Sequence, residues 1–115
     1  MITETYHSIE SLNVLDECKE IQLRKSHDYQ NPNSRIRQAD HYPRGINTII
    51  DMVHQKITRA YSLLEAAEHG IEPNNESIED SFKDMINFAS FDVAYLRGKM
   101  DGQQPNRHIF NREVK

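Results

Sequence analysis

The sequence predicts an all-α fold: a small helical bundle of three long helices plus one or two short ones, completed by oligomerisation. Three observations carry that expectation. Residues 46–67 place apolar side chains at i, i+3, i+4 and i+7 over about six turns. Residues 78–96 repeat the same period. No segment of comparable length reads as a strand.

The first long helix is expected from about Ile9 to Ser26, with Ser8 as its N-cap. It carries two apolar stripes, Ile9/Leu12/Leu15/Leu23 and Val14/Cys18/Ile21, so it should touch two neighbours. A polar stretch follows from His27 to Arg44, punctuated by Pro32 and Pro43, with room for a helical turn around Ser34 to Asp40. Connections this long in a compact helical domain are functional or disordered.

The second helix should begin at Gly45 or Ile46 and run to about His69, with Gly70 at its C′ position. The short turn at 73–75 makes helices two and three antiparallel neighbours. The third helix is expected from about Glu76 to Arg97, with Asn75 as N-cap. Its main stripe is Ile78, Phe82, Met85, Ile86, Ala89, Val93 and Leu96; Phe88, Phe91 and Tyr95 form a second apolar patch.

The 115 residues amount to one domain, expected over 1–100 with a polar tail at 101–115. Apolar residues are 37% of the chain, so a core is possible but thin. Small domains bury a smaller share of their surface, which favours completing the core by self-association. The net charge of −4 argues against bulk binding to nucleic acid or an anionic membrane. No apolar stretch is long enough to span a bilayer, and residues 1–10 do not read as a signal peptide. The single cysteine, Cys18, fits a reducing compartment. The expected location is the cytoplasm, or the host cytoplasm if the chain is phage-encoded.

The candidate chemistry starts on helix three. At helical spacing Glu76, Asp80, Asp84 and Asn87 fall within roughly 80° of one another. Hard cations such as Mg²⁺ favour oxygen donors of this kind, so Glu76, Asp80 and Asp84 are candidate metal ligands. A solvated face is the competing reading, because this face points away from the main apolar stripe. Acids in a first helical turn also favour the macrodipole. Helix two adds Lys56 and Arg59, suited to phosphate or to an ordinary helix flank. The end of helix one adds Lys25, Asp28 and Tyr29, suited to phosphate, sugar hydroxyl and base. The six histidines are scattered, with no zinc-site spacing.

The order of these pieces, Lys25-x-x-Asp28-Tyr29, then Lys56-x-x-Arg59, then Glu76-x-x-x-Asp80-x-x-x-Asp84-x-x-Asn87-Phe88-Ala89, resembles the nucleotide-modification-associated all-α domain of phages and bacteria. The likeness covers roughly Leu15 to Arg97. Gln30 and Phe88 depart from the Tyr-Gly and Asn-Tyr pairs of that pattern. More distantly, the layout is similar to all-α NTP pyrophosphohydrolases, which include dimeric dUTPases. Those enzymes use paired acidic motifs; Glu17 and Glu20 fit the first, and helix three lacks the Glu-x-x-Asp of the second. The resemblance implies a nucleotide ligand, Mg²⁺ and a homo-oligomer. It implies a Mg²⁺-dependent (d)NTP phosphohydrolase as one function. A non-catalytic binder that sequesters a nucleotide or cyclic nucleotide signal is the alternative, and a plain helical interaction module is the third.

Overall fold

A computed structural model of the chain describes residues 9–29, 33–72 and 77–104, the side chains of 27–29 apart. Every regular element among the described residues is helical, with no strand. Helix α1 spans Glu10–Tyr29, α2 spans Ile46–Glu68 and α3 spans Ile78–Leu96. One 3₁₀ turn, Gln38–His41, lies between α1 and α2. No helix among the described residues is long and apolar enough to cross a membrane.

The helix ends follow local chemistry. Pro43 and Gly45 precede α2, and Gly45 takes a φ of 59° that an L side chain resists. At the other end Gly70 has φ 75°, the Ile71 N–H donates to the Ala66 carbonyl, and the Gly70 N–H donates to that of Ala67. This double closure is the Schellman arrangement expected for Gly at C′. Gly98 repeats it at the end of α3, with Lys99 donating to Ala94 and Gly98 to Tyr95. The start of α3 differs from the expected cap at Asn75. Ser77 is the N-cap: its Oγ accepts from the Asp80 N–H at 3.0 Å, and Asp80 Oδ2 accepts from the Ser77 N–H at 3.1 Å. Such a reciprocal box satisfies two helix-end donors at once and outcompetes a lone Asn two residues earlier.

α2 and α3 are antiparallel, with Gly45 against Tyr95 at one end and Leu64 near Ile78 at the other. α1 runs parallel to α3, since Glu17 meets Lys83 and Gln22 meets Asn87 and Ser90. α3 packs far more extensively on α2 than on α1. The densest core sits where α2 begins and α3 ends: Tyr42, Ile46, Ile49, Tyr95 and Met100, flanked by Ala39, Met52, Phe88 and Phe91. Residues 101–104 join this core region. Asp101 accepts from the Ala39 N–H at 2.9 Å, and Gln103 Nε2 donates to the Tyr95 carbonyl at 2.8 Å.

Two expectations about the helix faces change: α1 buries one of its two apolar stripes instead of both, and on α3 the main stripe and the second patch exchange places. On α1, Val14/Cys18/Ile21 packs inward, while Ile9, Leu12, Leu15 and Leu23 stay exposed. On α3, the inward face is Ser81, Asp84, Asn87, Phe88, Phe91 and Tyr95. Much of the supposed main stripe, Phe82, Ala89, Val93 and Leu96, is exposed instead. Apolarity alone ranks the faces wrongly here because the polar groups on the inward face find partners.

Candidate functional site

Those partners define the site. α1 continues its buried stripe with polar residues: Gln22 and Lys25 lie one and two turns beyond Cys18, at the same helical bearing. α3 answers with Asp84, Asn87 and Ser90. Gln22 Nε2 donates to Asn87 Oδ1 and to Ser90 Oγ, each at 2.9 Å, and the Ser90 hydroxyl donates to the Asn87 carbonyl at 2.6 Å. Asn87 is 7% exposed, and this network gives its buried side-chain oxygen the donor it requires.

Beside the network lies a pocket of about 100 Å³, lined by Ile21, Gln22, Lys25, Ser26, Gln38, Asp84, Asn87, Phe88 and Phe91. Its aromatic wall is a Phe88–Phe91 pair in edge-to-face contact, centroids 5.9 Å apart. Gln38 comes from the 3₁₀ turn, so the long polar connection contributes directly to the site. Ser26 Oγ donates to the Leu23 carbonyl at 2.7 Å, an ordinary helical back-bond.

Of the sequence-predicted residues, Lys25, Asp84 and Asn87 share this pocket. Lys56 reaches it through Asp84, its Nζ 2.9 Å from Asp84 Oδ2, both side chains about a quarter exposed. The acidic face is therefore not solvated along its length: Asp84 and Asn87 turn inward. Asp80 stays outside. Its carboxylate serves the capping box, and the hydrogen bonds from the Ser77 backbone and hydroxyl hold its pKa below the usual value. Arg59 is exposed and does not line the pocket. Glu76 lies outside the described residues, as do the side chains of Asp28 and Tyr29, although the α1 backbone runs through both. Among the described residues no three His, Cys, Asp or Glu side chains converge as a metal site. Asp80 and Asp84 are engaged by different partners, the Ser77 cap and the Lys56 ammonium.

Four site residues escaped the sequence reading: Gln22, Ser26, Gln38 and Ser90. Gln22 left a usable trace, a polar amide that continues the Val14/Cys18/Ile21 stripe at the same bearing. Gln38 left none, because its place depends on how the connection folds back.

Two further features border the site. Lys83 bridges Glu17 on α1 at 2.7 Å and Glu79 on α3 at 2.9 Å, which raises its pKa and ties the two helices together. The Cys18 thiol sits against the Lys83 carbonyl, and burial pushes its pKa up, so it behaves as a packing residue and not a nucleophile. No protein-family model, curated protein or solved structure matches the chain.

Proposed function

We propose that the protein binds a nucleotide in the α1–α3 pocket, with the base inside and the phosphates at the rim. The observation that supports this best is the lining itself. One aromatic wall, Phe88 and Phe91, faces amides, a carboxylate and an ammonium within a single small cavity. A base has π-faces for the aromatics and a mixed donor–acceptor edge for the polar groups. Asn87 accepts from Gln22 on Oδ1, which directs its NH₂ donors elsewhere, while Asp84 supplies acceptors. Lys25 is exposed at the rim and suits a phosphate. The motif order that resembles the nucleotide-modification-associated domain supports the same ligand class.

The volume narrows the choice. Small-ligand sites usually run from ~300 Å³ upward, and a cavity of ~150 Å³ accepts benzene. At about 100 Å³ the pocket is smaller than either, so it admits a single ring more readily than a fused pair and leaves sugar and phosphates outside. Pyrimidine nucleotides should bind ahead of purine nucleotides.

Binding without turnover is the second reading, and the Lys56–Asp84 ion pair favours it. A cation at Asp84 must compete with an ammonium already 2.9 Å away. A thermal-shift series with pyrimidine and purine nucleotides, each with Mg²⁺ and with chelator, tests these points. The expected result is a pyrimidine-dependent rise in Tm that Asn87→Ala removes; ligand at a hundred times Kd stabilises by ~2.7 kcal/mol. Release of phosphate or pyrophosphate in the Mg²⁺ arm assigns the enzyme reading. A flat response to every nucleotide ends the proposal.

A further inference from the structure

The α2–α3 hairpin carries a long apolar face that remains exposed. On α2, Ile50, Ile57, Tyr61 and Leu64 fall within roughly 60° of one another at helical spacing, and they are 39–70% exposed. On α3, Phe82, Val93 and Leu96 do the same at 45–53% exposure. The two stripes meet in an open groove of about 410 Å³, walled by Ile57, Tyr61, Leu64, Phe82 and Met85 among others. α3 thus turns a mixed face inward, Ser81, Asp84 and Asn87 beside Phe88, Phe91 and Tyr95, and leaves a more uniformly apolar stripe outward, which an isolated bundle does not favour.

We propose that this face is the interface of a homodimer. A second copy lays its own α2–α3 hairpin across it, and the two hairpins form a four-helix bundle about a two-fold axis. Three arguments select a second copy. The first is area: the seven side chains expose on the order of 700 Å². That exceeds the ~300–600 Å² of the largest patch on a typical monomer and approaches the ~800 Å² per partner of a standard interface. The second is shape. Two antiparallel amphipathic helices of 23 and 19 residues, apolar on this face from Ile50 to Leu64 (His54 apart) and from Phe82 to Leu96, are one half of a four-helix bundle. An identical hairpin supplies the other half with matching length and period, as an isologous contact requires. The third is charge. Glu65, Glu68 and Glu79 lie at its edge with exposed Arg97 at the bearing of Glu79, a mixed border that offers an anionic lipid surface no cationic belt. Tyr61 and Phe82 are the most exposed members and the residue types enriched at interface centres.

The inference is independent of the nucleotide pocket, and its test reads mass alone. Light scattering during size exclusion, at micromolar concentration, should give twice the 13.5 kDa chain mass. Phe82→Glu and Tyr61→Glu should each halve that mass while far-UV circular dichroism keeps its helical signal. Leu23→Glu, on the exposed stripe of α1, should leave the dimer intact. A wild-type chain that stays monomeric overturns the proposal even if both variants fail to fold, and so does a folded Phe82→Glu chain that stays dimeric. Monomer that binds neutral or anionic vesicles overturns it in favour of lipid.

Discussion

At the scale of single residues, the inward face of α3 shows how polar groups are accommodated and where they are not. Asn87 and Asp84 have partners, and their burial is offset. Asp92 differs. Its Oδ1 is buried and has no hydrogen-bond partner among the described residues, and burial raises its carboxyl pKa above the usual value. A raised pKa means the fold favours the protonated acid. The favourable contribution is then fully present below the unfolded carboxylate pKa, ~3.9. It is lost as pH rises through the higher folded value, so at neutral pH the ionised group is a penalty. Asp92→Asn removes the charge at nearly constant shape. It should raise Tm at pH 7, and the gap from wild type should close as pH falls toward the carboxylate range. Thermal melts of both proteins from pH 4 to pH 7, roughly the span of that titration, check this. A lower Tm for the variant at pH 7, or a gap independent of pH, would show that the carboxylate has a stabilising partner.

At the scale of elements, the start of α2 is set by backbone geometry and by what packs on it. Gly45 has φ 59° and ψ −127°, and a Cβ added there would lie 2.7 Å from Tyr95 Oη. Gly45→Ala therefore combines a glycine-only conformation with a clash against a buried core ring. It should cost roughly 1–3 kcal/mol from the backbone alone, read as a lower denaturant midpoint. An unchanged midpoint would mean that the α2 start and Tyr95 move apart at no cost. The positions of these elements were legible in the sequence for physical reasons. The apolar period of 46–67 and the glycines at 70 and 98 mark helices and their ends directly. Ser77 was less visible, since Asn75 and Ser77 are both good caps and the choice rests on Asp80 reaching back. Facing was the least legible property. Periodicity finds the stripes on α1 and α3 but gives each helix two, and it does not say which is covered within one chain. Lys25, Asp84 and Asn87 emerged as site candidates because their spacing is local. Gln22 and Gln38 joined them through contacts 65 and more residues apart or through loop folding, which no local pattern encodes.

At the scale of the whole molecule, the three helices are not equally secured. α2 and α3 share an extensive contact and the Tyr42/Ile46/Ile49/Tyr95/Met100 core. α1 is attached mainly through one seam on α3: Cys18, the Gln22–Asn87–Ser90 network and the Lys83 bridge to Glu17. The bridge is exposed on its Glu17 side and worth little alone, and the outer stripe of α1 is exposed. Local stability follows buried contact, so α1 should detach from the hairpin at a lower free energy than the hairpin unfolds. The pocket lies in that same seam, between Gln22 and Lys25 on one side and Asp84, Asn87 and Phe91 on the other. A ligand there touches both partners and can bind well only to the docked state. Its binding energy is then coupled to docking, and a fraction of α1 detached lowers apparent affinity by that fraction. Native-state hydrogen exchange reads this directly. In the free protein, amides of α1 should exchange faster than those at the centres of α2 and α3. A saturating pyrimidine nucleotide should slow exchange in α1 first and most, bringing it toward the hairpin. Equal protection of all three helices without ligand would show that the seam is as strong as the hairpin. A ligand effect centred on α2 would move the binding site away from the α1–α3 pocket.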